Sequence, residues 1–359
     1  MSLWVDKYRP RRLDALSYHA PITASLKALA STGDFPHLLV YGPSGSGKKT
    51  RVYATLHELF GPQVEKLKID VKTFTTSSNR KLEFNVLSSP FHLEITPSDM
   101  GNNDRVVIQD LLKDIASTEQ VDFSNSKNNG TPKHRFKVVI INEADSLTRD
   151  AQAALRRTME KYSANIRLIM ISNTTSNIIP PIKSRTLLVR IPAPSVADIT
   201  AILADVATKE SVHFTADPVQ SGFLSQVAAN SDQNLRRALL SFETISMSNA
   251  SVACDGQNAV VTLDWEVIIK NVSSSIYTNR SVSNLAKTRV VFYELLAHCI
   301  PARIILKGVL FELLRLCNNH SKAQQLVEIG SMFDERLSLG SKAIFHLEGF
   351  VAKAMVALE

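Results

Sequence analysis

Apolar and polar positions follow two different periods along this chain. Leu38, Leu39 and Val40 form a short continuous apolar run, and so do residues 136–141 (FKVVII), 166–172 (IRLIMIS) and 187–191. Short runs of this kind, rich in β-branched residues, predict strands buried on both faces of a sheet. Residues 67–71 (LKIDV) and 92–96 (HLEIT) predict two more. Between the runs, apolar residues recur at helical spacing over 21–31, 52–60, 104–117 and 147–162. Strands alternating with helices predict a doubly wound α/β sheet covered on both faces. Residues 1–20, aromatic and basic, precede the first clear helix. Residues 123–135 (FSNSKNNGTPKHR) are polar without periodicity and predict a surface loop.

The pattern changes after Pro192-Ala193-Pro194-Ser195. Residues 197–245 read as short amphipathic helices interrupted at Asn230-Ser231-Asp232, and a polar patch follows over 246–257. From Trp265 the chain is helical and rich in Leu. These shifts divide the chain into 1–192, 193–250 and 251–359, and 359 residues are enough for each part to own a core.

Composition adds exclusions. Hydrophobic residues at 44% and charged residues at 21% exclude a fibrous or disordered chain. The formal net charge of +7 fits a polyanionic partner and fits solvated helix faces equally well. Cys254, Cys299 and Cys317 are far apart with no CxxC pair, which argues against a disulfide framework or a zinc site. The opening MSLWVDKYRPRRLD has no apolar core for a signal peptide, and no apolar run approaches bilayer-spanning length. An intracellular protein that does not enter the membrane is expected.

The candidate chemistry is concentrated at YGPSGSGKKTR, residues 41–51, between the first strand and a helix. Strand, Gly-rich turn and helix make a phosphate cradle: backbone amides converge, and the helix N-terminus adds partial positive charge. Lys48 stands where a lysine reaches the β- and γ-phosphates. The next position ordinarily carries the Ser or Thr hydroxyl that binds Mg²⁺. Here it is Lys49, with Thr50 one place late. An ammonium cannot ligate a dication.

The run FKVVIINEAD (136–145) reads as the acidic strand that partners such a loop. Its first acidic position is Asn142, followed by Glu143. Both metal-ordering positions are therefore altered, which predicts a site that binds nucleotide and hydrolyses it slowly or not at all. Asn173 closes a strand beside the expected γ-phosphate, or serves as a strand-end cap. Arg236 in NLRRALL reaches the site, or is a solvated helix charge. Arg185, in a turn stiffened by Pro180-Pro181, can project towards a neighbour's phosphate.

Several stretches together carry a resemblance: WVDKYRPRRLDAL (4–16), GPSGSGKKT (42–50), INEAD (141–145), AALRRTMEKYS (153–163), IKSRT (182–186) and SDQNLRRAL (231–239). They resemble the small subunits of replication factor C, the eukaryotic AAA+ clamp loader. GKKT with INEA, plus LEITPSDMGNNDR (93–105), is similar to the ATPase-defective member of that family. The resemblance implies an α/β fold: a RecA-like AAA+ P-loop domain with a three-helix lid, followed by an all-α collar domain. It implies four other clamp-loader subunits, the sliding clamp (PCNA) and primer–template DNA as partners, and a nuclear location. ATP or ADP would be held without well-ordered Mg²⁺.

By matching motifs, the resemblance puts Val5 and Ser17 on the adenine and ribose side. Gly42, Pro43, Ser44, Gly45, Ser46, Gly47, Lys48, Lys49 and Thr50 surround the phosphates. Asn173 is sensor 1, Arg236 is sensor 2, and Arg185 is an arginine finger for the adjacent subunit. The family's usual Cys after that arginine is Thr186 here. Arg105 and the amides after Asn103 are candidates for DNA phosphates. Residues 110–123 resemble a clamp-contacting element, with Val121 and Phe123 either as anchors or as core residues. Two other classes compete: a working ATPase motor whose metal is completed by Thr50 or water, and an origin-recognition or helicase-loading subunit, which would carry a winged helix.

Overall fold

The computed structural model describes residues 2–75, 81–117, 136–163, 165–214, 222–248 and 263–359. The chain divides into two compact units, Met1–Val260 and Val261–Glu359.

The first unit is built on a seven-stranded sheet. Its strands are β1 (Leu38–Tyr41), β2 (Lys68–Thr75), β3 (Lys81–Ser88), β4 (His92–Ile95), β5 (Lys137–Ile141), β6 (Ile166–Ser172) and β7 (Leu187–Arg190), in the order β2-β3-β4-β5-β6-β1-β7. From β4 to β7 all neighbours are parallel, while β2–β3 and β3–β4 are antiparallel. Six helices accompany it: α1 (Trp4–Lys7), α2 (Ala20–Ser31), α3 (Lys48–Phe60), α4 (Asp104–Ser117), α5 (Arg149–Lys161) and α6 (Pro180–Lys183).

The apolar runs reflect burial on both faces. Val139 and Ile141 of β5 join a core with Val107, Leu111 and Leu155 of α4 and α5. Val138 and Ile140, one residue out of phase, join Val52 and Leu56 of α3 on the opposite face. A strand sandwiched in this way needs an apolar residue at every position.

The pattern of apolar runs missed two elements. β3 was not anticipated, and β2 runs on to Thr75 as its antiparallel partner. β2 lies at the sheet edge, with Ile69 at 72% and Val71 at 58% exposure, so burial on two faces never shapes its sequence. α1 is too short for any periodicity to announce it. It forms because Trp4 inserts among helices far along the chain.

Those helices are α7 (Val196–Lys209), α8 (Phe223–Asn230) and α9 (Leu235–Ser248), packed through Ile199, Leu203, Phe223 and Phe242. Ser195 and Asp198 close a capping box at the start of α7. Trp4 meets Phe242 edge to face at 5.5 Å, and its backbone N–H donates to Glu243 at 3.1 Å.

The second unit is all helix and turn in its described residues: α10 (Asp264–Thr278), α11 (Val282–Ala297), α12 (Ala302–Leu316), α13 (His320–Leu339) and α14 (Ala343–Leu358). Phe292, Leu306, Leu313, Phe333 and Phe350 lie in its core. Among the described residues, no helix is long and apolar enough to cross a membrane.

Trp4→Ala removes the buried aromatic that, with the partly buried Tyr8, ties the amino terminus to the α7–α9 cluster. The expected cost is about 3 kcal/mol, read as an earlier unfolding transition in thermal denaturation. An unchanged transition would show that Trp4 is not part of the cooperative core.

Candidate nucleotide site

The Gly-rich turn between β1 and α3 is crowded from two sides. A Cβ at Gly42 would lie 1.9 Å from the Ile191 carbonyl oxygen, and one at Gly45 would lie 1.8 Å from the Asn234 side-chain oxygen. Gly45 also has a φ of +74°, where only glycine rests without strain. The turn thus brings together the end of β7, the start of α9 and the phosphate loop. Arg51, fully buried on α3, donates to the Tyr18 carbonyl oxygen and the Thr23 hydroxyl, each at 2.7 Å, and lies over the Tyr18 ring. Tyr18 in turn donates to the Ser46 carbonyl oxygen at 3.2 Å. The amino-terminal segment is pinned to the loop in this way.

Around the turn lies a cavity of about 590 Å³. Of the residues that the sequence singled out, Val5, Ser17, Ser44, Gly45, Gly47, Lys48, Lys49, Thr50, Asn142, Glu143, Asn173 and Arg236 all line it. Gly42, Pro43 and Ser46 shape the turn from behind: the carbonyl oxygens of Gly42 and Pro43 accept from the Lys48 ammonium at 2.7 and 2.8 Å. The third Lys48 bond goes to the Asn173 side-chain oxygen at 3.0 Å. Asn173 is held by its own backbone N–H, which donates to Asp145. Burial lowers the Lys48 pKa to about 8, opposed by the charge of Asp145 and reinforced by that of Arg236. Arg236 has no ion-pair partner among the described residues.

The two altered metal positions meet on one carboxylate. Glu94 of β4, 3% exposed, accepts from the Lys49 ammonium, from the Tyr53 hydroxyl and from the Asn142 amide at 2.6 Å. Burial alone would push its carboxyl up. The bonds from Lys49 and Tyr53, the Lys49 charge and the Asn142 bond outweigh this and hold it below the ordinary value. Asn142 also donates to Thr96 at 3.3 Å. Thr50 is turned to another task, its hydroxyl accepting from Arg9 at 3.1 Å.

This donor set does not fit a divalent cation: an ammonium stands where a hydroxyl is needed, and the amide is spent on Glu94. A nucleotide fits well, given the glycine turn, the lysine and the volume.

Comparison with known proteins agrees with this geometry. Residues 265–359 match the family model described as the replication factor C subunit 3 C-terminal domain, and residues 201–247 match the RCF1/5-like AAA+ ATPase lid domain. Residues 19–195 match the DNA polymerase III delta subunit model. The chain is 55% identical to replication factor C subunit 5 of Saccharomyces cerevisiae over 361 residues, covering 100% of each. It is 47% identical to replication factor C subunit 3 of Homo sapiens over 355 residues, covering 99% of this chain and 96% of that protein.

The chain belongs to the replication factor C small-subunit family. These are clamp-loader components of DNA replication, and their AAA+ fold implies a bound nucleotide.

Arg185 and Arg105 of this replication factor C chain do not line the cavity. Arg185 follows α6, pairs with Glu160 at 2.7 Å and donates to the Pro181 carbonyl oxygen at 2.9 Å. Thr186 donates to the Ile182 carbonyl oxygen, which holds the turn. Arg105 is exposed in the first turn of α4. Val121 and Phe123 fall outside the described residues. Glu143 has a φ of +50° and accepts from Ser98.

Sequence reasoning missed Arg9, Tyr18, Tyr53 and Glu94. Glu94 did leave a signal: a carboxylate between Leu93 and Ile95 in a short strand has to find a buried partner.

Lys48 gives the site a pH dependence of known sign. Phosphate binding raises its pKa, so affinity is full below pH 8 and falls as pH rises through about 8. Titrating a fluorescent ADP across pH 7 to 10 (roughly the window set by that shift) should show this loss. A flat profile would mean that Lys48 does not meet the phosphates.

Proposed function

We propose that this chain is the ATPase-silent small subunit of the five-subunit clamp loader, which opens the sliding clamp PCNA and loads it onto primer–template DNA in the nucleus. In this reading, the 1–192 part and the 193–250 lid hold ATP or ADP between them without well-ordered Mg²⁺, and the 251–359 collar joins the subunits. Val5 and Ser17 face the base and ribose, residues 42–50 the phosphates, and Asn173 and Arg236 the terminal phosphate. Arg185 acts on the ATP of the adjacent subunit. Arg105 meets DNA phosphates, and Val121 and Phe123 meet the clamp.

One observation carries the silent-site part: Lys49 and Asn142 are both committed to Glu94. A working site needs a metal-bound hydroxyl at the first position and a carboxylate at the second. Thr50 is a poor substitute, since its hydroxyl already accepts from the Arg9 guanidinium, a cation that repels a dication. The position of Arg185 supports the role in trans. It does not line its own chain's cavity, and its part-exposed guanidinium pairs with Glu160, a surface partner that a phosphate can displace. Displacement would place a fixed planar cation on a neighbour's developing phosphate charge.

The test is DNA- and clamp-stimulated ATP hydrolysis by the reconstituted five-subunit assembly. Arg185→Ala should lower it severalfold, whereas Lys48→Ala should change it by roughly twofold or less. Equal large losses from both, with assembly intact, would mean that this chain turns over ATP itself.

A further inference from the structure

We propose that the Lys49 ammonium, clamped on Glu94, is the resident cation of this nucleotide site, standing where a working P-loop places its divalent metal, and that Glu94 is the positioning residue that keeps it there. The proposal rests on the reading of the cavity as a nucleotide site and adds what balances the phosphate charge.

The geometry is that of a built device. Glu94 sits on β4 beneath the cavity and is nearly inaccessible, while three of its neighbours, Lys49, Asn142 and Thr96, line the cavity itself. Glu94 takes donors from α3 twice, Lys49 and Tyr53, and from the end of β5 once, Asn142. Its own charge is thereby compensated from one side.

An ammonium has three N–H donors. Among the described residues, Lys49 gives one to Glu94, and its side chain remains 37% exposed. The other two are free for phosphate oxygens. The ammonium is thus tied to Glu94 while the side chain stays part-exposed at the cavity wall.

Such a cation differs from Mg²⁺ in what it can do. It can screen phosphate charge and donate hydrogen bonds, so it supports binding. It cannot order a water shell or follow a phosphoryl group, so it gives no help to hydrolysis. It also repels an incoming dication. The two departures are moreover linked through Glu94. An Asp at position 142 would face Glu94 at the 2.6 Å now spanned by an amide, and two carboxylates at that distance cannot both ionise. Asn142 and Lys49 are therefore both compatible with this carboxylate in a metal-free site.

The test titrates a fluorescent ADP into the full-length chain with Mg²⁺ and with EDTA, for the wild type, Glu94→Gln, Lys49→Met and the double variant. Wild-type affinity should be the same in the two buffers within about threefold. Lys49→Met should weaken binding in EDTA by about tenfold. Glu94→Gln should alter it severalfold when Lys49 is present and not at all in the Lys49→Met background, as expected of a residue acting only through Lys49. Lys49→Met leaves Glu94 without its counter-charge and should lower Tm. The double variant removes both charges and should recover Tm, so that binding can be compared in a folded chain. Wild-type binding that collapses in EDTA, or a Glu94→Gln effect equal in both backgrounds, would overturn the proposal. Metal-dependent ADP binding without turnover would sink only the resident cation. ADP binding in neither buffer would sink the nucleotide-site reading beneath it.

Discussion

A carboxylate removed from water costs several kcal/mol unless charged or polar donors surround it, and Glu94 collects such donors from α3 and β5 at once. Everything at the base of the cavity follows from this constraint. Lys49 is tied to Glu94 while still lining the cavity, the part-buried Tyr53 has its hydroxyl bonded, and the Asn142 amide is spent on the same carboxylate. Burial, reinforced by Glu94, pushes the Tyr53 hydroxyl well above its ordinary pKa, so it stays a donor. One buried charge therefore organises the base of the cavity.

The cavity is also a meeting point for segments distant in sequence. The turn at 42–47 passes so close to Ile191 and Asn234 that a side chain is excluded at Gly42 and at Gly45. Arg51 fastens the amino-terminal segment to α3 through Tyr18 and Thr23. That same segment inserts Trp4 into the α7–α9 cluster. The phosphate loop, the amino terminus and the three-helix cluster thus share one cavity within the first unit. A ligand between them would touch all three, so its binding would stiffen the unit whether or not it is hydrolysed.

Much of this was legible from residue order alone. The strands at 38–41, 137–141 and 166–172 could be read because two-sided burial demands continuous apolar runs. The phosphate loop was legible because its glycines and lysine are local requirements of a single turn. β3 and α1 were not, since an edge hairpin and a four-residue helix carry no long-period pattern and owe their form to distant neighbours. The departures at Lys49 and Asn142 were visible as two substitutions in one site, but their shared bond to Glu94 was not.

The sequence by itself determined the layered α/β plan, the helical carboxyl-terminal third and the site's loss of its usual metal donors, because periodicity and motif chemistry are properties of neighbouring positions. Only the tertiary structure decided that Lys49, Tyr53 and Asn142 converge on Glu94, that Arg9 engages Thr50, and that Arg185 stands apart from its own cavity. Contacts across 40 to 50 positions, such as that from Asn142 to Glu94, are set by strand pairing and helix packing, and no local pattern encodes which buried charge will find which partner.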